Sequence, residues 1–257
     1  MGLWINLFKN RIDKMYPIFK KVLRHFISSR FYIASIALFL VLLNFFLWMQ
    51  PETSILDFGF ADLSALFYYV PLVFIFFIPS SLMSFAVDDF NGGASDFIFS
   101  KPVSPTSYFF GYYLAAGFIV LFFLFLTLSS LYSIYTLVLA DSFIDFKQIF
   151  ASYFGLLLAG LVFITLSCFA AVHSRNQAGA FLFGVLLCYC FFSLPSLISE
   201  LPFFDGGVAY NIQYFSLDKH LEVLGRGILE FRTLFYFVSI ILLFSFLSIQ
   251  RLKSRLS

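Results

Sequence analysis

Between Pro102 and Ala140 the chain runs without a single charged side chain. A helix crosses the hydrocarbon core of a bilayer in about 20 apolar residues, so this block holds either two short spans or one long helix. Its centre, FLFLTLSSLYSIY (residues 123–135), has no Gly, Pro or Asn to make a turn. A hairpin there would leave backbone polar groups unpaired in lipid. One long helix, emerging from the bilayer at one or both ends, is therefore expected.

The rest of the chain has the same character. Of its 257 residues 61% are hydrophobic and 12% charged, against about 25% charged in a soluble domain. A water-facing surface cannot be built from this, and an all-α integral membrane protein is expected. The 41 phenylalanines read most simply as lipid-facing filler. Charged residues delimit six predicted spans, at about 31–49, 63–87, 106–138, 149–172, 177–199 and 233–250. Six spans put twelve Lys and Arg on the side of the N-terminal arm and four on the other, so both termini are expected in the cytoplasm. Seven spans would give the same division, and the missing turn in the third block decides for six.

Residues 1–30 carry seven of those cations, while Phe8, Ile12, Met15, Phe19, Val22 and Phe26 recur at helical spacing. The arm reads as an amphipathic helix lying on the cytoplasmic membrane face, cations toward anionic headgroups, kinked or split at Pro17. With no small-residue cleavage site after the first apolar run, removal as a signal peptide is not expected. Residues 31–257 form one membrane domain with an outer loop at 200–232. In that loop Leu217, Leu221, Leu224 and Ile228 share a face and Glu222, Arg226 and Glu230 are spaced for ion pairs. An amphipathic helix on the outer leaflet, or a solvated connector, would give this pattern.

Several chemistries lack their residues. There is no G-x-x-x-x-G-K-[ST], no H-E-x-x-H and no G-x-S-x-G, so neither an ATP site nor a catalytic group is expected in this chain. Cys168, Cys188 and Cys190 lie in apolar runs without metal-ligand company, so no metal or disulfide is expected. The predicted spans hold no Asp, Glu, Lys, Arg or His, the groups through which ion-coupled transporters and intramembrane enzymes work. Asn44, Thr127, Ser129, Ser130 and Thr165 are expected to bond between helices.

The polar residues are concentrated in the loop after the second span. Asp88, Asp89 and Asp96 leave three readings open: a divalent-cation site, a solvated loop, or a short helix capped by Ser95 or Asp96 and stopped before Pro102. That helix would present Phe97, Ile98 and Phe99 beside an acid, the makings of a docking contact.

MSFAVDDFNGGASDFIFSKPVSPTSYFFGYYLA, from Met83, resembles the signature segment of ABC-2-type permeases, F-A-E-E-(basic)-x-G-T-x-E-L-L-L-T-(basic)-P-(aliphatic)-S/T. Gly93 and Asp96 to Ser104 fall in register, and Asp88-Asp89 match the paired acids with one residue inserted. Val87 and Phe90 stand where the family is usually charged, and Asp96 where Glu is typical. FAAVHSRNQAGAFLF, from Phe169, is similar to the family's short cytoplasmic turn, here His173, Arg175, Asn176 and Gln177. DKHLEVLGRGILEFRTLFYFVS, from Asp218, is similar to an outer segment in which His220, Arg226, Gly227, Arg232, Tyr236 and Ser239 are the matching positions. With NFFLW (44–48) and ILDFGFADLSALF (55–67), the likeness is most of all to the permease subunits of gliding-motility-associated ABC transporters of Bacteroidota.

The resemblance covers the chain from about residue 20 onward. It implies an elbow helix and six spans in the bacterial inner membrane. The loop carrying Asp88, Asp89, Gly93, Asp96, Phe97, Ile98, Phe99, Lys101 and Pro102 would couple to two separate ATPase subunits, which would use the ATP and Mg. A second permease, a heterodimer partner rather than a copy, would complete the core. Membrane lipid is the other expected partner, and nucleic acid is not. The alternative expectation is a non-transporting scaffold that anchors a motility or secretion assembly.

Overall fold

The structure, a computed structural model, describes residues 2–28, 30–49, 64–84, 87, 104–137, 146–204 and 206–256. Among the described residues there are helices and turns and no strand. The expected docking loop, including Asp88, Asp89, Gly93, Asp96, Phe97, Ile98, Phe99, Lys101 and Pro102, lies outside them.

Helix α1 (Gly2–Ser28) is followed by α2 (Arg30–Trp48). The stretches Met15–Ser28 and Tyr32–Trp48 are bent 68° from one another. Of the two outcomes expected at Pro17, a kink or a split, the split does not occur: α1 runs through it as one helix. A proline removes one backbone bond, to the carbonyl four residues back, and the turns on either side keep theirs. At the bend the Phe26 and Tyr32 rings meet at 4.0 Å.

Helix α3 (Ser64–Leu82) contains Pro71 and Pro79, yet is also continuous. The Ser80 and Ser81 hydroxyls donate to the Phe77 carbonyl at 2.9 and 2.8 Å, next to Pro79 but not at the Ile75 carbonyl that it leaves without an amide donor. Helix α4 (Pro105–Leu137) is a single element across the uncharged block. Ser104 caps its start by accepting from the Ser107 amide at 3.2 Å, and Pro105 opens it, where no amide is needed.

Helix α5 (Phe146–His173) is the centre of the molecule, and α6 (Gln177–Phe192) returns beside it. Three short helices come next, α7 (Leu194–Ser199), α8 (Gly207–Gln213) and α9 (Leu217–Gly225), and then α10 (Phe231–Leu256). The fifth predicted span is thus interrupted at Ser193, just before Pro195.

Within α4, α5 and α10, Pro105–Ser133, Phe146–His173 and Phe231–Ser254 are long and apolar enough to cross a bilayer, and the bent pair Met15–Ser28 with Tyr32–Trp48 would make a fourth. Leu66–Leu82 and Gln177–Phe192 are apolar but shorter. The described residues are helical throughout apart from turns, and the chain is a multi-pass membrane protein.

Small residues set the packing. A Cβ on Gly160 would lie 2.6 Å from Val120 Cγ1 of α4, and one on Gly184 of α6 would lie 3.0 Å from Pro79 Cβ. Helices in lipid gain little by hiding apolar surface, so close backbone approach is what holds them together. The phenylalanines are not only filler. Phe39, Phe74, Phe77 and Phe123 form one buried cluster joining α2, α3 and α4.

The polar side chains inside mostly bond their own helix rather than a neighbour. Asn44 donates to the Leu40 carbonyl, Ser129 to Leu126 and Thr165 to Leu161. Thr127 does both, donating to the Leu124 carbonyl at 2.7 Å and meeting the Tyr153 hydroxyl at 3.0 Å. A hydroxyl one turn from a carbonyl already has a partner, so an apolar helix can carry it without calling on another helix. Ser130 Oγ is buried with no hydrogen-bond partner among the described residues.

Candidate functional site

Two ends of the bundle carry the candidate residues. At one end, called the basic end, lie α1, the α5–α6 turn and the end of α10, with Lys20, Lys21, Arg24, Arg175, Arg251 and Lys253. The opposite end is closed by α9 and is called the cap.

At the basic end α1 crosses the foot of α4. A Cβ on Gly111 would lie 2.9 Å from Ile18 Cβ and 3.3 Å from the Met15 carbonyl oxygen. The Tyr32 hydroxyl donates to the Ser81 carbonyl at 2.8 Å, near the end of α3. The unit of α1 and α2 therefore touches both helices that border the expected docking loop, one on each side of it.

The α5–α6 turn brings His173, Arg175, Asn176 and Gln177 together. His173 Nδ1 lies 2.9 Å from the Phe169 carbonyl, one turn back. Asn176 caps α6, its Oδ1 accepting from the Gly179 amide at 2.7 Å. A Cβ on Gly179 would sit 2.6 Å from that oxygen, so the cap and the glycine go together.

The cap is the more elaborate structure. The Ser216 hydroxyl does not cap α9; it donates instead to the Phe192 carbonyl, tying the start of α9 to the end of α6. Leu217, His220 and Leu224 are buried. Gly155 of α5 lies under this face: a Cβ there would be 2.8 Å from Leu224 Cδ1 and 3.2 Å from Leu221 Cδ2. The apolar face of α9 thus packs on protein, neither resting on a leaflet nor forming a solvated connector. Its exposed side carries the ion pairs Lys219–Glu222, at 2.8 Å, and Arg226–Glu222. These cations, the Lys219 bond first, hold the Glu222 carboxyl below its usual range.

The helix stops three residues earlier than its apolar periodicity extends. Gly227, at φ +80°, donates to the Leu224 carbonyl at 2.9 Å, and the Ile228 amide reaches the Val223 carbonyl at 3.4 Å. This is the left-handed glycine stop of a Schellman motif. Glu230 consequently falls outside the helix and out of the expected i,i+4 series. The stop is seated on α5: Gln148 Nε2 donates to the Gly225 carbonyl at 2.8 Å, and a Cβ on Gly227 would lie 3.4 Å from Gln148 Cα.

His220 is a buried titratable group of the cap, enclosed with Ser216 and Thr233. Its Nε2 lies 2.9 Å from the Tyr214 carbonyl and its Nδ1 3.1 Å from Thr233 Oγ1. A carbonyl only accepts, so the network assigns the proton to Nε2 and makes Nδ1 the acceptor from Thr233. The ring stacks on Tyr236 at 4.4 Å, and Tyr236 donates its hydroxyl to the Phe215 carbonyl. Arg232 lies over the Tyr214 ring at 4.8 Å. Burial lowers the His220 pKa against the pull of the Tyr214 carbonyl, whereas burial and then Glu222 raise that of Asp218.

His220, Arg232 and Tyr236 are therefore one cluster, with Arg226 and Gly227 at the other end of α9. Tyr214, Ser216, Thr233 and Gln148 complete it and were not legible as members, since their partners lie far away in sequence. Both nitrogens of His220 are engaged and Tyr236 covers one ring face. The arrangement is a latch, joining α8–α9 to α10. Groups of three or more metal-ligating side chains are absent among the described residues.

No family model matches the chain, and no curated protein matches it.

Proposed function

We propose that the chain is the membrane-spanning permease subunit of an ATP-driven exporter, coupled to separate ATPase subunits through the 88–104 loop. The observation that carries this reading is the contact of the basic elbow, α1 and α2, with both helices flanking that loop: Ile18 on Gly111 and Tyr32 on Ser81. A push on the loop is thereby borne by the elbow, α3 and α4 together. In this reading α2, α3, α4, α5, α6 and α10 are the six spans, and the basic end faces the cytoplasm by its excess of cations. Two ATPase subunits would use ATP and Mg beneath it, a second permease would complete the pathway, and the assembly would serve gliding motility or secretion in the bacterial inner membrane.

The test is gentle solubilisation of tagged protein from native membranes with mass spectrometry of the proteins that stay bound. Recovery of a P-loop ATPase, lost in Asp96→Arg while the variant stays in the membrane, is the expected result. Membrane components recovered without any ATPase would favour the scaffold reading, with which spans lacking ionisable groups also agree.

A further inference from the structure

Helix α3 packs on α2, α5 and α6 and much less on α4. Between its last turns and α4 lies a void of about 10 Å³. Phe77, Ser81 and Leu82 line it from α3, Ala116 and Ile119 from α4, and Ile164 of α5 closes its floor. A buried water needs roughly two to four polar partners, and this lining is apolar except for Ser81, whose hydroxyl is spent on the Phe77 carbonyl. The space therefore suits neither water nor a polar ligand. In an interior packed as closely as a crystal, it is room that only protein can use.

The turns beside it are loosely made. Pro79 has no amide to give, so the Ile75 carbonyl one turn back goes without that donor. The Ser80 and Ser81 hydroxyls both fold back onto the Phe77 carbonyl, at 2.9 and 2.8 Å, and back-bonding of this kind weakens and bends helices. Pro79 itself does not line the void. It bears on α6, where a Cβ on Gly184 would lie 3.0 Å from its own Cβ. Just beyond, the Ser81 carbonyl, one of those that a helix leaves over at its end, takes the Tyr32 hydroxyl of α2 at 2.8 Å. A pivot, a free side and a tether meet within one turn.

We propose that residues 79–82 of α3 form a joint with two seats. One is the seat described, held by Tyr32 with the void beside it; the other is displaced toward α4 and closes the void. Packed elements of this kind pass between discrete arrangements rather than deforming continuously. The device is internal to the chain and rests neither on the exporter reading nor on a partner.

The test places 4-fluorophenylalanine at Phe77 of the full chain, reconstituted in phosphatidylcholine nanodiscs. The Phe77 ring lies 5.7 Å from that of Phe39 and 6.0 Å from that of Phe123, so a small movement alters the ring currents it feels. The expected fluorine NMR spectrum has two signals, or one broadened by exchange between microseconds and milliseconds. Ala116→Val, which puts two methyl groups into the void, should leave one sharp signal. So should Pro79→Ala, which returns an amide to the Ile75 carbonyl. Tyr32→Phe, which releases the Ser81 carbonyl, should change the balance of the two states about fivefold, the worth of one hydrogen bond. A single sharp wild-type signal at every temperature would overturn the proposal. Two signals that survive Ala116→Val would overturn it by showing that the movement does not use the void. Two that survive Pro79→Ala would do so by removing the joint, and a balance indifferent to Tyr32→Phe would strike out the tether. Ala116 and Pro79 lie on different helices, so one variant decides if the other fails to fold.

Discussion

Helices α5 and α10 each carry an apolar stretch long enough to cross a bilayer, yet 78% of that stretch is buried in α5 and 28% in α10. The difference lies in side-chain size. Helix α5 turns Gly155, Ala159, Gly160, Ala170 and Ala171 into the bundle, while α10 exposes Phe235, Leu242, Leu243 and Phe246. In a soluble protein such hydropathy would mean burial for both. In a bilayer apolarity only says that water is absent, and small residues say where protein is present.

This contrast can be broken by substitution. Gly160→Leu should have the largest effect. The new side chain collides with Val120, and overpacking of about 3 kcal/mol should remove most of the monodisperse protein on size-exclusion chromatography, with partial rescue by Val120→Ala. Phe237 is the largest fully buried side chain of α10. Truncating it to Ala should cost about 2 kcal/mol, less than in a water-soluble core because lipid replaces part of the lost packing. A thermal-shift measurement ranks the two, and equal loss would mean that the two helices are held alike. Gly227→Ala, at the stop joining α9 to α10, should cost about 1 kcal/mol from its left-handed backbone, since its Cβ would meet Gln148 only at contact distance, 3.4 Å.

The latch adds a dependence on pH. A histidine whose folded pKa is lowered stabilises the fold fully above its ordinary value near 6.5 and loses that contribution as pH falls from there through the folded value. Asp218, raised, has the opposite sign and acts between 3.8 and its folded value. Glu222, Glu230 and Arg232 also act near this latch. The protection factors of residues 214–225, corrected for the slower intrinsic exchange in acid, should therefore fall on acidification just below pH 6.5, and His220→Gln should remove that step. Smallest of all, Leu242→Ala on the exposed side of α10 should change stability by no more than about 0.5 kcal/mol. A larger loss would expose a protein contact on that side.

Much of the helical framework could be read from the sequence. Uncharged runs without turn residues give helices, and the long block from Pro105 has no place to fold back. The cap could not be read in the same way. The apolar stripe through Leu217, Leu221 and Leu224 is the same whether it meets lipid or Gly155, because periodicity records a face and not its neighbour. His220, Gly227 and Arg232 stand out as candidates, but Tyr214 and Thr233 join His220 only through the return of α10. Pro17 does not split its helix, since it removes a single bond from an otherwise paired helix. The residues from Asp88 to Pro102 lie outside the described part of the chain, so their role stands on the sequence alone.

Helix α4 has one more consequence. Its 33 residues make a rod about 50 Å long, gripped by Ile18 near its foot and by Tyr153 at Thr127. Apart from Pro105 at its very start it has no proline, and no glycine after Gly117. Such a rod has no joint along its upper half. A displacement at its foot cannot be absorbed by bending there, so it would be passed to the helices packed along it, to α5 at Val120 and Thr127 and to α2 and α3 at Phe123.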